Sequence, residues 1–120
     1  VGREIPNAID FAVDLFVGQE DELFFSNDGR AEFEREGWDR VIDTNLNSVM
    51  DCARKFHSAL AAAKGSLQIV SSTAAYHATI GNPAYGASKA AAVALVKNLA
   101  VAWARDGIRV NGIAPGFVKT

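Results

Sequence analysis

The chain has 120 residues, 12 of them basic and 14 acidic, for a net charge of −2 with both signs mixed along its length. That length suits one domain with a modest core, and the charge balance offers no basic face to nucleic acid or to an anionic membrane surface. One cysteine, Cys52, excludes an internal disulfide, and no uninterrupted apolar run reaches the roughly 18 residues of a spanning helix, so a reducing, cytoplasmic setting is expected.

Val1 opens the chain without a methionine or a basic-then-apolar leader, which argues against a secretory signal and for a segment of something longer. Residues 10–17, DFAVDLFV, are rich in β-formers and end at Gly18, which predicts a strand. Residues 19–37 alternate acidic and aromatic side chains around the turn signal Asn27-Asp28-Gly29 and read as an irregular excursion that ends in a helix start. A calcium loop is excluded there, because Gly29 would put Phe24 where the first ligand belongs.

From Trp38 the apolar positions Ile42, Val49, Ala53, Phe56 and Leu60 recur at helical spacing, and Lys64-Gly65 supplies a cation and a stop. This predicts one amphipathic helix over 38–64. SLQIVSS, residues 66–72, reads as a buried strand, followed by a loop that closes at Gly81-Asn82-Pro83. A second long helix starts there, with Asn82 as N-cap, Pro83 at its first position, and Arg105 and Gly107 in its last turn and stop. IRVNGIAPG, residues 108–116, gives a last strand running into a Pro-Gly turn. The order strand, helix, strand, helix, strand implies a parallel, doubly wound α/β layer.

In the second helix Tyr85 and Lys89 are four residues apart, about 400° of rotation, so they share one face roughly one turn, about 6 Å, from each other. A tyrosine is a poor base at neutral pH, but a neighbouring ammonium and a place in the first helical turn both favour its phenolate. Tyr85 is thereby a candidate general acid/base. Ser72 ends its strand, and ligands of open α/β sheets collect outside the carboxyl ends of strands. Its hydroxyl and the Tyr85 phenol can border one crevice. Asn45 fills a slot in the apolar stripe Trp38, Ile42, Asn45, Val49, where an unpaired amide costs about 1–3 kcal/mol. Each feature also has a plain reading: a Tyr-x-x-x-Lys pair arises by chance, Ser72 can simply close its strand, and Asn45 can bond to backbone.

Taken together these residues resemble a known family. WDRVIDTNLNSV, QIVSS, YGASKAA and IRVNGIAPGFVKT, over residues 38–120, are similar to the catalytic half of the short-chain dehydrogenases/reductases. The resemblance implies a Rossmann-like doubly wound parallel sheet and hydride transfer between an alcohol and a ketone with NAD or NADP. It implies Tyr85 as acid/base, Lys89 lowering its pKa and holding the nicotinamide ribose, Ser72 steadying the substrate oxygen, and Asn45 holding a water in the proton relay. It further implies that Pro115, Gly116 and Thr120 form the turn beside the nicotinamide carboxamide, with Val118 as a backbone contact.

The chain departs from the family pattern in having no TGxxxGxG-like turn, so the N-terminal dinucleotide-binding βα units are expected to be missing. Residues 14–17 read Asp14-Leu15-Phe16-Val17 where Asn-Asn-Ala-Gly would be expected. The expected organisation is thus one partial domain, 1–120, irregular or divergent over 1–37 and catalytic over 38–120. His57, on the polar side of its helix, and His77, in the loop after Ser72, have no metal-ligating neighbours in sequence, so no metal site is expected. Tyr76, His77 and Asn82 read as loop residues or as pocket lining. Gly86, Ala87, Ala90, Ala91 and Ala94 give the second helix a smooth outer side, which predicts a homodimer or homotetramer built on it and on helix 38–64. The competing reading is a non-catalytic remnant that keeps the helix pair as an interaction module.

Overall fold

The computed structural model describes residues 31–119; the strand expected over 10–17, the turn at Asn27-Asp28-Gly29 and Thr120 lie outside the described residues. A 3₁₀ turn, Ala31–Phe33, leads into α1 (Arg35–Ile42), a π turn (Asp43–Asn47) and α2 (Ser48–Ala63). Then come β1 (Ser66–Val70), a 3₁₀ turn (Thr73–Ala75), α3 (Pro83–Trp103), a 3₁₀ turn (Ala104–Asp106) and β2 (Arg109–Ile113).

The helix expected over 38–64 is therefore three segments that begin at Arg35, and the correction has a local cause. The stretch Asp43-Thr44-Asn45-Leu46-Asn47-Ser48 is rich in weak helix formers whose side chains compete for backbone groups. The Ser48 hydroxyl donates to the Thr44 carbonyl, and Asn47 Nδ2 donates to Asp43 Oδ1 at 2.6 Å. The chain widens into one π turn, which shifts the inward face. Val41, Asn45, Ala53 and Leu60 are buried, whereas Trp38 and Phe56 of the expected stripe are 38% and 37% exposed. The helix stops where expected, but it is Lys64, not Gly65, that turns left-handed, at φ 51°. Its N–H and that of Gly65 donate back to Ala61 and Leu60 carbonyls, a Schellman-type end.

β1 and β2 are parallel, paired from Ser66 with Arg109 to Val70 with Ile113, and α3 is the crossover that parallel neighbours require. The strands are shorter than the expected 66–72 and 108–116, although the Ser71 N–H extends the ladder by donating to the Ile113 carbonyl at 2.7 Å. Leu67 and Ile69 of β1, Val110 and the adjoining Ile108 form one core with Ala53 and Leu60 of α2 and with Ala92 and Leu99 of α3. Each large aliphatic side chain so buried contributes about 1.5–3 kcal/mol. Gly112 sits in a tight place: a Cβ would stand 3.0 Å from Val96 Cγ2 and 3.2 Å from the Ile69 carbonyl oxygen, so any larger residue requires Val96 or the strand to give by a few tenths of an ångström.

α3 starts at Pro83 as expected, but the Asn82 side chain makes no capping bond; its carbonyl accepts from Gly86 N–H at 3.1 Å and from the Thr79 hydroxyl at 3.2 Å. Together with its 3₁₀ end, α3 is long and apolar enough to cross a bilayer by length and composition, although Lys89 and Lys97 interrupt its apolar run. Ala84, Ser88, Lys89, Ala92 and Leu99 are buried inside the described unit. The opposite side stays open: Ala87, Ala90 and Ala94 are exposed, and Val101 is 80% exposed. His57, expected on a polar side, is half-buried, with Nε2 2.9 Å from Asp106 Oδ2 and its ring edge-on to Trp103 at 4.7 Å, which ties α2 to the end of α3.

Candidate active site

Ser71 and Ser72 leave β1 at its carboxyl end, and the chain turns at once into the 3₁₀ turn Thr73–Ala75. Ser72 caps that turn: its Oγ accepts from the Ala74 N–H at 3.1 Å, which fixes the side chain and leaves the hydroxyl proton to be donated outward. The Thr73 N–H donates to the Pro115 carbonyl at 3.0 Å, so the Pro115-Gly116 turn after β2 lies against the turn after β1. A Cβ on Gly116 would touch Thr73 Cγ2 at 3.4 Å. Two carboxyl strand ends thus carry Ser72 and Pro115-Gly116 side by side. Val118 follows in exposed, irregular chain, 75% exposed.

α3 brings the next two groups to this edge. Lys89 is only 8% exposed, and its Nζ donates to the carbonyl of Val70, the last residue of β1, at 3.3 Å. The same ammonium lies 5.6 Å from the centroid of the Tyr85 ring, within cation–π range. The one-turn spacing read from the sequence therefore brings these two side chains together. Ser71, buried, ties the helix to the strand from the other direction, its hydroxyl donating to the Lys89 carbonyl at 2.7 Å.

Asn45 comes from the π turn. Its buried Nδ2 donates to Ser88 Oγ at 3.1 Å, and the fully buried Ser88 hydroxyl donates to the Tyr85 carbonyl at 2.8 Å. The amide that looked misplaced in an apolar stripe is satisfied by a side chain 43 residues further along the chain. Ser88 went unrecognised in the sequence, where a serine between two alanine-rich turns carries no signal. Glu32 was missed as well: it is 8% exposed, and its Oε2 accepts from the Tyr85 backbone N–H at 2.9 Å. Tyr76, at 68% exposure, and His77 are exposed, Tyr76 closing the 3₁₀ turn that Ser72 caps.

Ser72, Tyr85, Lys89 and the Pro115-Gly116 turn thus belong to the carboxyl end of a parallel strand–helix–strand unit, and Asn45 reaches it from the preceding π turn through Ser88; in open α/β sheets ligands collect at such ends. Residues 7–120 match the family model described as enoyl-(acyl carrier protein) reductase. A 2-dehydro-3-deoxy-D-gluconate 5-dehydrogenase of Bacillus subtilis is 36% identical over 96% of this chain and 48% of its own length. Among solved structures, the apo-form glucose dehydrogenase of Caenorhabditis elegans is 38% identical with a TM-score of 0.69, covering 72% of this chain and 37% of that one. A gluconate 5-dehydrogenase from Burkholderia cenocepacia, in complex with NADP and tartrate, is 31% identical with a TM-score of 0.68 over 72% of this chain and 34% of that one. The chain belongs to the short-chain dehydrogenase/reductase family and has its Rossmann-like fold in part. It spans less than half the length of these relatives.

Proposed function

We propose that residues 38–120 are the catalytic segment of an NAD- or NADP-dependent oxidoreductase that interconverts an alcohol and a ketone, working in the cytoplasm on a small-molecule substrate. The observations that support this reading are the Lys89 ammonium, 5.6 Å from the centroid of the Tyr85 ring and bonded to the Val70 carbonyl at the carboxyl end of β1, and the turns carrying Ser72 and Pro115-Gly116, which lie against each other at the carboxyl ends of β1 and β2.

The residues fit the nicotinamide half of the cofactor. An ammonium and a phenol supply hydrogen bonds for ribose hydroxyls, and the Pro115-Gly116 turn, followed by Val118, offers backbone groups for a carboxamide; the part implied for Thr120 falls on a residue outside the described ones. No glycine-rich phosphate turn occurs in the 120 residues, so the adenosine half finds no seat in this segment. When bound, the dinucleotide gives or accepts the hydride. The chain's own residues manage the proton. Ser72 hydrogen-bonds the substrate oxygen and holds it at the phenol, and the Tyr85 Oη delivers a proton to that oxygen in reduction or removes one in oxidation. Lys89, its Nζ anchored at the Val70 carbonyl, keeps a positive charge beside the phenolate that forms. Asn45 holds the helix that carries Tyr85 through Ser88, and the role implied for it in the proton relay is retained alongside this one.

Replacing Tyr85 by Phe in the full-length gene product should abolish carbonyl reduction, by about 10²–10⁴-fold in kcat, while NAD(P)H affinity by fluorescence titration stays near wild type. Undiminished turnover would refute the mechanism. A second reading, an interaction module without catalysis, is favoured by the open apolar side of α3 with Val101 80% exposed. That face also suits a homodimer or homotetramer of an active enzyme, and the Tyr85→Phe comparison separates the two readings.

A further inference from the structure

The phenol of Tyr85 is useful only at one height and one angle, and its backbone determines both. The N-terminus of α3 is poorly supplied for the task. Pro83 has no N–H, and the Asn82 side chain forms no cap. The Tyr85 N–H, at the third helical position where an N-cap side chain would ordinarily accept, is instead met by the carboxylate of Glu32 at 2.9 Å, a residue 53 positions earlier. Glu32 is itself 8% exposed, an unusual place for a carboxylate unless something specific holds it. Its charge faces the positive end of the α3 dipole and bonds a backbone amide, the pairing that stabilises a buried carboxylate.

The other end of the same residue is tied to the same stretch of chain. The Tyr85 carbonyl accepts from Ser88 Oγ at 2.8 Å, and Ser88 Oγ accepts from Asn45 Nδ2 at 3.1 Å. Glu32 and Asn45 belong to one continuous piece of chain, from the 3₁₀ turn Ala31–Phe33 across the extended Glu34 and α1 to the π turn Asp43–Asn47. Tyr85 is thus gripped on its N–H and, through Ser88, on its C=O by two side chains from one stretch of chain.

The geometry points to Glu32 as a positioning residue for catalysis: it sets the Tyr85 phenol against Ser72 and Lys89 through the Tyr85 amide, without touching substrate or cofactor. This rests on the role of Tyr85 given above. A displacement of about 1 Å at a reacting group costs up to 10²-fold in rate, so releasing one of two grips lowers kcat on the order of tenfold or more.

The test uses the full-length gene product with Glu32→Ala, Glu32→Gln and Tyr85→Phe, assayed for carbonyl reduction, NAD(P)H affinity and exchange of the Tyr85 amide hydrogen. Glu32→Gln keeps the size and an acceptor oxygen and should retain kcat within about threefold. Glu32→Ala should lose about 10–100-fold in kcat, exchange its Tyr85 amide faster, and bind NAD(P)H as the wild type does. Should Glu32→Ala fail to fold, Glu32→Asp, whose carboxylate is drawn back by one methylene, takes its place with a loss between the other two. Wild-type kcat in the Ala variant, a matching loss of cofactor affinity, or a Gln variant no better than Ala would each overturn the inference. Full turnover by Tyr85→Phe would overturn it too, together with the tyrosine mechanism, and that single variant tells the two failures apart.

Discussion

Ser88→Ala is the substitution for which the structure gives the most complete expectation. Ser88 is fully buried, so no water replaces what its hydroxyl provides. Removing Oγ breaks two bonds, the one donated to the Tyr85 carbonyl at 2.8 Å and the one accepted from Asn45 Nδ2 at 3.1 Å. The first costs little, because a carbonyl within a helix keeps its ladder partner. The second leaves a buried amide donor without an acceptor, about 1–3 kcal/mol. Alanine is the better helix former by a few tenths of a kcal/mol, and the lost atom is too small for the cavity to matter much. The net expectation is a destabilisation of about 2 kcal/mol. With a urea dependence near 2 kcal/mol per molar, the unfolding midpoint of the full-length gene product should fall by about 1 M. Pairing the change with Asn45→Leu tests the cause: with both polar groups gone, the double variant should recover much of the loss seen in Ser88→Ala. A Ser88→Ala midpoint unchanged within about 0.2 M, or a double variant less stable than the sum of the two single ones, would refute the view of Asn45 as an amide that depends on Ser88.

Two further expectations follow from the packing. Gly112→Ala would drive a methyl to within 3.0 Å of Val96 Cγ2 and 3.2 Å of the Ile69 carbonyl oxygen, so thermal unfolding should shift downward by an amount corresponding to about 1–3 kcal/mol; an unchanged Tm would show that α3 can back away from β2 freely. Ala90→Arg, on the exposed side of α3 opposite the sheet, should convert a dimer or tetramer of the full-length gene product to monomer in light scattering at micromolar concentration, with the secondary structure by circular dichroism intact; retention of the oligomer would place the subunit contact elsewhere.

α3 was legible from sequence because its punctuation is strong. Asn82-Pro83 and Gly107 bracket it within a few residues of the observed Pro83–Trp103 and its 3₁₀ end. The Tyr85–Lys89 pairing follows from helical geometry alone, and β1 and β2 fell where their β-branched runs lie. The π turn was not legible, because a helix with one extra residue per turn keeps nearly the same apolar spacing as one without it. Its effect appears in which side chains turn inward: Val41 is buried in place of Trp38, while Asn45 faces inward as its place in the stripe implied. Glu32 escaped for another reason. Its bond to Tyr85 spans 53 residues, and a glutamate in a charged, loop-like stretch announces neither burial nor a distant amide. Local pattern predicts elements well and long-range polar partners poorly, since those depend on tertiary geometry that no window of residues contains.

The two ends of the strand pair also differ in kind. At one end sit the left-handed Lys64 and Gly107, whose φ is 78°, the lysine side chain lying so close over the glycine that a Cβ there would meet Lys64 Cδ at 2.5 Å. At the other end sit the serines and the proline turn. Five residues of extended chain, roughly 17 Å, separate them. Over such a span the effects of substitutions add independently. An engineer could therefore stiffen the Lys64–Gly107 corner to raise thermal tolerance and leave turnover as it was, treating the two corners as separate dials.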